Sequence, residues 1–472
     1  MAEKVTRSRT RKELFTNNAG AIPMKINSLL VAAIILAALS GVLYWSNHKK
    51  TSASDVKVSA DMPPTILSLP QSDITKVDIK KKGAEEVDLA KNDAGKWQIT
   101  TPKELRADQG QVSSMLSTLS SLSSERLIES KAGNLAEFGL AQPAVELDVT
   151  EKNNKTQKLL IGDATPTGNA AYAALAGDPR VFTLENYNKN SLDKSLNDLR
   201  DKRLLIFDQD KLSRVELDAK KQDIEFGRNK DQWEIVKPKP LRADNSNVQD
   251  LISKLADARM DLSGTDEDQK NAAKLFASGT VVGTAKVTDP SGTEELQVRK
   301  NKNDYYAKSS AVEGVYKVGN DLGIALDKGV DDFRTKKLFD LGFTDPDKIE
   351  FQDGAKTYYL TKGGMDWWLP DGKKADTIDA EAFEEKVRDL SASKFVDSGY
   401  TTPVMELTTT AKSGKDVEKV LISKTGDRYF AKRDDGSAEY ELDPNVVKDM
   451  EKAAADMKPA AEPKPAAPVK KK

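Results

Sequence analysis

The stretch WQITTPKELRAD, Trp97 to Asp108, returns as WEIVKPKPLRAD from Trp233 to Asp244, and a degenerate third copy, WWLPDGKKAD, spans Trp367 to Asp376. The tryptophans are 136 and 134 residues apart. Self-similarity at a near-constant period is the mark of one structural unit used repeatedly, because equal patterns bury equal faces. Any fold for this chain must therefore work in triplicate.

Other elements recur with the same period. YAALAGDPRVFTL from Tyr172, YAKSSAVEGVYKV from Tyr306 and FAKRDDGSAEYEL from Phe430 each place a second aromatic ten residues on, at Phe182, Tyr316 and Tyr440. Gly139 and Pro143 are echoed by Gly399 and Pro403. Copies one and two close with DLRDKRL (Asp198 to Leu204) and DFRTKKL (Asp332 to Leu338), whereas copy three has no such segment. That difference implies a piece that joins one unit to the next, and it makes Arg200, Lys202, Arg334 and Lys336 candidate junction residues. The same cations also suit helix C-termini, where carbonyls lack partners.

Within a unit, alternating runs such as VDIKKKGAEEVDLA, KWQIT and VELDAKKQDIEFG predict a strand meander with one face buried. Apolar residues seven and eleven positions after the shared Asp, namely Met115/Leu119, Leu251/Leu255 and Phe383/Val387, predict one face of a helix. Short strands follow (VELDVT, KLLIG, VFTLE), then a closing helix over NKNSLDKSLNDL. The fold class expected is α+β: an N-terminal transmembrane helix followed by three tandem, mostly antiparallel sheet-plus-helix units. The expected boundaries are a basic N-terminus (1–28), a span (29–45), a stalk (46–65), units at 66–208, 209–342 and 343–457, and a disordered Pro/Ala/Lys tail (458–472).

The span rests on LLVAAIILAALSGVLYW, Leu29 to Trp45, seventeen uncharged residues that reach about 25 Å as a helix. Cations flank it, Tyr44 and Trp45 sit at the expected interfacial belt, and the bias favours a cytoplasmic N-terminus and an extracytoplasmic body. Cleavage after Ala38 to Ser40 is the rival reading; the apolar run continues past that point to Trp45.

Charge and composition close several classes. The whole chain carries −2, and basic ends of +6 (1–50) and +4 (458–472) leave −12 on the body, which disfavours nucleic acid as a partner. There is no cysteine and one histidine, His48, so thiolate chemistry and most imidazole schemes for catalysis or metal binding are shut, and no cofactor is expected. Walker A, G-x-G-x-x-G, EF-hand and G-x-S-x-G motifs are missing. A paired-carboxylate hydrolase stays open, since a chain with 31% charged residues supplies acidic pairs by chance.

The repeated residues read first as architecture. Asp108, Asp244 and Asp376 each stand before a helical pattern, where a carboxylate accepts the free N–H groups of the first turn, and Gln111 is placed to complete a capping box with Asp108. Arg106 and Arg242 fit a surface pair or stem packing before an anion clamp. Trp97, Trp233 and Trp367 read as core anchors. The next residue points to the opposite face and is Gln98, Glu234 and then Trp368, so Trp368 stands out as a candidate partner contact or as a residue covered by a neighbouring unit.

The segments MKINSLL (from Met24), ITKVDIKKKG, GKWQITTP, RAD, FGLAQPAVELDV, LLIGDATPTGNAAYA and DLRDKRLLIFD together resemble a bacterial family of domains of unknown function, numbered 4340. The resemblance is closest over about residues 66–210 and weakens to about 450. It implies an accessory role at the cell envelope beside ABC-type exporters of the gliding-motility class, with no catalytic residues to carry over. The expected function is a non-catalytic, membrane-anchored scaffold with a protein partner; the alternatives are an envelope carbohydrate-binding module and a carboxylate-dependent hydrolase.

Overall fold

A computed structural model describes residues 64–341 and 345–461. The Leu29–Trp45 run, the basic N-terminus and all but the last residues of the stalk lie outside the described residues. Alternation builds the sheets: in Val87–Lys91 and Trp97–Thr101 the inward positions Val87, Leu89, Trp97 and Ile99 are buried while Asp88 and Gln98 face outward. Three large sheets result, all of their strand pairs antiparallel.

The second sheet gives the pattern. In spatial order it runs Leu241–Arg242, Gln232–Lys237, Gln222–Asn229, Arg214–Ala219, Thr280–Asp289, Gly292–Asn301, Asp304–Ser309, Val315–Val318. Four strands meander outward in one direction and four in the other, and the helix Asn245–Ala256 is threaded between the two meanders. The first sheet repeats this order and adds the edge strand Arg126–Glu129; the third adds Lys394–Val396 at the same edge but has no strand in the place of Leu241–Arg242. In the second unit the corresponding edge has a single bridge, Asp261 to Lys317, and the helix Asp266–Ala277 lies along it. The expected α+β class with several mostly antiparallel sheet units therefore stands.

Each unit has one main core, made where the buried sheet face meets its helix. In the first, Val112, Met115, Leu116 and Leu119 of the helix Gln109–Ser120 pack on Val77, Ile79, Leu147 and Ile161. Met115/Leu119, Leu251/Leu255 and Phe383/Val387 are all fully buried. Two expectations differ locally. The closing helix of the first unit is broken into Asn186–Leu192 and Leu196–Leu199, because Ser195 and Asp198 form a capping box that restarts it. The third unit does possess a closing segment: Pro459 pairs with Ala375, as Arg200 pairs with Ala107 and Arg334 with Ala243. Lys458–Ala460 thus belongs to the third unit rather than to a tail. It went unrecognised because a backbone slot constrains hydrogen bonds and not side chains, so Lys-Pro-Ala serves where Leu-Arg-Asp serves in the first unit.

The segments between units carry isolated β-bridges to both neighbours and so act as short strands shared between them. Asp201 N–H donates to Arg106 of the first unit, and three residues later Leu204 N–H donates to Ala258 of the second. Thr335 to Arg242 and Leu338 to Leu390 repeat the arrangement at the next junction. In the first unit the same inner slot is filled by Thr65–Ser68, paired with Ser121–Ser123. Ile66/Leu67, Leu204/Leu205 and Leu338/Phe339 carry the apolar side chains of these segments into the three cores.

Candidate functional site

The three aspartates of the repeat do not converge; each caps its own helix. Asp108 accepts from Gly110 and Gln111 N–H, Asp244 from Ser246 and Asn247, Asp376 from Ile378 and Asp379. The reciprocal bond from Gln111 is not made. Its neighbour Gln109 acts instead: the amide accepts from Trp97 N–H at 3.0 Å and donates to the Trp97 carbonyl at 2.8 Å, tying helix to strand. Asn245 does half of this for Trp233, at 2.6 Å. Trp97, Trp233 and Trp367 are buried in the three cores.

The junctions gather a set of polar contacts. The Arg200 guanidinium lies over the Tyr316 ring and donates to its hydroxyl at 2.7 Å. Arg334 lies 3.8 Å from the centroid of the Phe395 ring and 6.0 Å from that of Tyr440, the counterpart of Tyr316. Lys202 and Lys336 contribute backbone carbonyls, to Met260 and Ala392, rather than their side chains. Arg106 and Arg242 also cross: each donates at 2.7 Å to a carbonyl of the incoming strand, Arg203 and Lys337 respectively. Burial pushes the Arg106 guanidinium below its ordinary value, against the pull of Asp201. Asp201 would be raised by its own burial, yet the paired hydrogen bonds from Arg203 hold it below the usual carboxylate range.

The rear faces of units two and three contain a socket for the arriving strand that sequence reading missed. Glu294 accepts the Ile206 N–H at 2.5 Å and Glu418 the Asp340 N–H at 2.9 Å. One strand further, Ser309 donates to the Leu204 carbonyl and Arg433 to the Leu338 carbonyl. Burial raises Glu294, while Arg433, also buried, is held protonated by Asp435 and Glu418. At the same register positions the first unit has Gln157 and Leu175, and Arg180 of its own hairpin covers Phe182. The signal was available as a difference among copies: carboxylates and polar donors appear only where a strand arrives from a preceding unit.

Trp368 lies at the opposite, forward face. It is 39% exposed, pairs across the strand with Lys374, and lies over Gly363, where an added Cβ would come 2.7 Å from the indole Nε1. Its counterpart Glu234 pairs with Arg242 and lines a cleft of about 220 Å³ against Asp435–Ala438 of the third unit. The equivalent cleft at the first junction, about 200 Å³, sets Leu105 and Arg106 against Ala311–Glu313.

Carboxylates gather in a cross-strand row on the outer face of the first sheet, Asp88, Asp78 and Asp148. Each has one buried oxygen without a hydrogen bond. Burial, then the neighbouring Asp88 charge, raises Asp78, although Lys76 at 2.7 Å opposes this. The row lies on a sheet face among Lys76, Lys80 and Lys158, and not in a cleft. Among the described residues no three acidic or histidine side chains are placed to hold a metal ion, and no helix is long and apolar enough to cross a membrane.

Comparison with curated proteins and with solved structures finds no match. Residues 97–237 and 233–416 match the family described as Domain of unknown function (DUF4340). The two matched segments begin at Trp97 and Trp233, the first residues of the repeated stretch, so the family pattern recurs with the structural repeat. Together they cover more than half of the sequence, and the chain belongs to the DUF4340 family.

Proposed function

We propose that this chain is a non-catalytic scaffold, anchored in the cytoplasmic membrane by Leu29–Trp45, whose three units extend outside the membrane as an accessory to an ABC-type exporter complex. One observation carries the reading: the buried side chains of Asp201, Ser309 and Arg433, and the half-buried Glu294, are used to hold strands shared between units. Side chains committed to joining domains are unavailable to a substrate, and a stiff array of similar units is a means of presenting a long contact surface. The anchor and its orientation rest on the apolar run and its flanking cations.

Envelope carbohydrate binding draws on the exposed ring of Trp368 beside Asp366 and Lys374. A hydrolase draws on the Asp78 row. Chemical crosslinking of native membranes followed by mass spectrometry separates the three. The scaffold reading expects exporter subunits joined to residues of the three units. Glycan retention on an affinity column, or turnover abolished by Asp78→Asn, would replace it with one of the others.

A further inference from the structure

Forward faces of the first two units are each occupied by the same kind of object. Leu105 and Arg106 receive the hairpin tip Ala311–Glu313, and Leu241 and Arg242 receive the tip Asp435–Ala438. The third unit keeps part of that face: Lys374 pairs with Trp368 as Arg242 pairs with Glu234, and the closing segment at Pro459 is in place, although the stretch from Trp367 to Asp376 is two residues shorter than in the other units. Nothing among the described residues covers it. Lys373 replaces Leu105 and Leu241 there, and the large gain of apolar surface is Trp368 in place of Gln98 and Glu234.

That change has a physical reason. The hairpins at the two internal junctions are tethered to the face that receives them, so their effective concentration is high and a polar rim suffices. An untethered occupant must offset lost translational and rotational freedom with buried area, and a Trp at the centre of a face is the side chain that supplies most of it. A second copy docked head to tail is a poor occupant. The rear face of the first unit lacks the carboxylate and donor socket, having Gln157 and Leu175, and Arg180 already covers Phe182, the ring that an incoming arginine would cover. Lys374 is likewise turned to Asp366 of its own unit at 2.9 Å.

Resting on the scaffold reading, we infer that the forward face of the third unit, centred on Trp368, docks a β-hairpin tip of a different protein in the position a fourth unit would take. The tip inserts an apolar side chain against the indole.

Photocrosslinking on the full chain in native membranes tests this. A benzoyl-phenylalanine at position 368 is expected to join a loop between two antiparallel strands of another protein, whereas the same probe at position 98 is not. With the probe at position 365, Trp368→Glu is expected to lower the yield about tenfold or more and leave the melting temperature unchanged. Trp368→Phe should retain most of the yield. Adducts at 368 only to lipid, glycan, residues 462–472 or a second copy of this chain overturn the inference, as does a large fall in melting temperature for Trp368→Glu. If probes at the exposed Tyr187 or Ile324 capture a partner while 368 captures none, this surface fails and the scaffold reading survives.

Discussion

At the scale of single residues, carboxylates in this chain do two kinds of structural work. Asp244 accepts two N–H groups at 3.0 and 3.1 Å from a helix whose inner face forms part of the second core. Asp244→Ala should therefore cost about 0.5–2 kcal/mol in denaturant unfolding, with Asp244→Asn costing much less. A role in turnover would reverse that order in an activity assay. Asp78 contributes in the opposite sense. Its carboxyl is raised by burial and by Asp88, so the folded chain holds that proton more tightly than the unfolded chain does. The stability it allows is complete below the unfolded value and is lost as pH rises through the higher folded value. Asp78→Asn removes the titration. The variant should melt above the wild type at neutral pH, and the gap should close as pH falls towards about 3. Melting curves across that range check it, and a gap independent of pH would show that Asp78 does not titrate in this window.

Elements were legible where side chains carry the pattern. The tryptophan strands, the helix faces at Met115, Leu251 and Phe383, and the capping aspartates all follow from period and chemistry that one copy of the repeat contains. The shared strands were not legible, because their bonds span more than fifty residues between backbone groups and leave no mark on residue type. The socket at Glu294 and Glu418 becomes visible only when one copy is set against another. The helix Asp266–Ala277 belongs to only one copy, so the repeat could not reveal it, yet Thr265 and Asp268 form a capping box whose spacing was there to be read. That helix lies along the edge Val315–Val318, which the first and third units close with a strand. An uncovered edge with free N–H and C=O groups invites pairing between molecules. Phe276 and Ala272 hold the helix down against Tyr306. Phe276→Ser should loosen it, raising hydrogen exchange along residues 315–318 and the rate of aggregation on mild heating, with the exchange of Arg214–Ala219 unaffected.

For the molecule as a whole, the arrangement of the shared strands sets how the units melt. In a chain of repeats, stability is a sum of the stability of each unit and of the interface terms between neighbours, so coupling is decided at the junctions. Here the coupling is not a docked surface between finished domains. Leu338 and Phe339 complete the core of the third unit, while Arg334, four residues before Leu338, closes the edge of the second. The second unit cannot release its last strand without pulling at the first strand of the third. One calorimetric transition is therefore expected for residues 64–461, with a van't Hoff enthalpy well above that of a single unit. Replacing Leu338 and Phe339 together by Ser removes two side chains that are at most 2% exposed and leaves Arg334 and its bridge in place. The third unit should then melt first and alone, giving two transitions, while the first two units continue to melt as one. If the double variant still unfolds in one step, the units are held by their facing surfaces and the shared strands are only connectors.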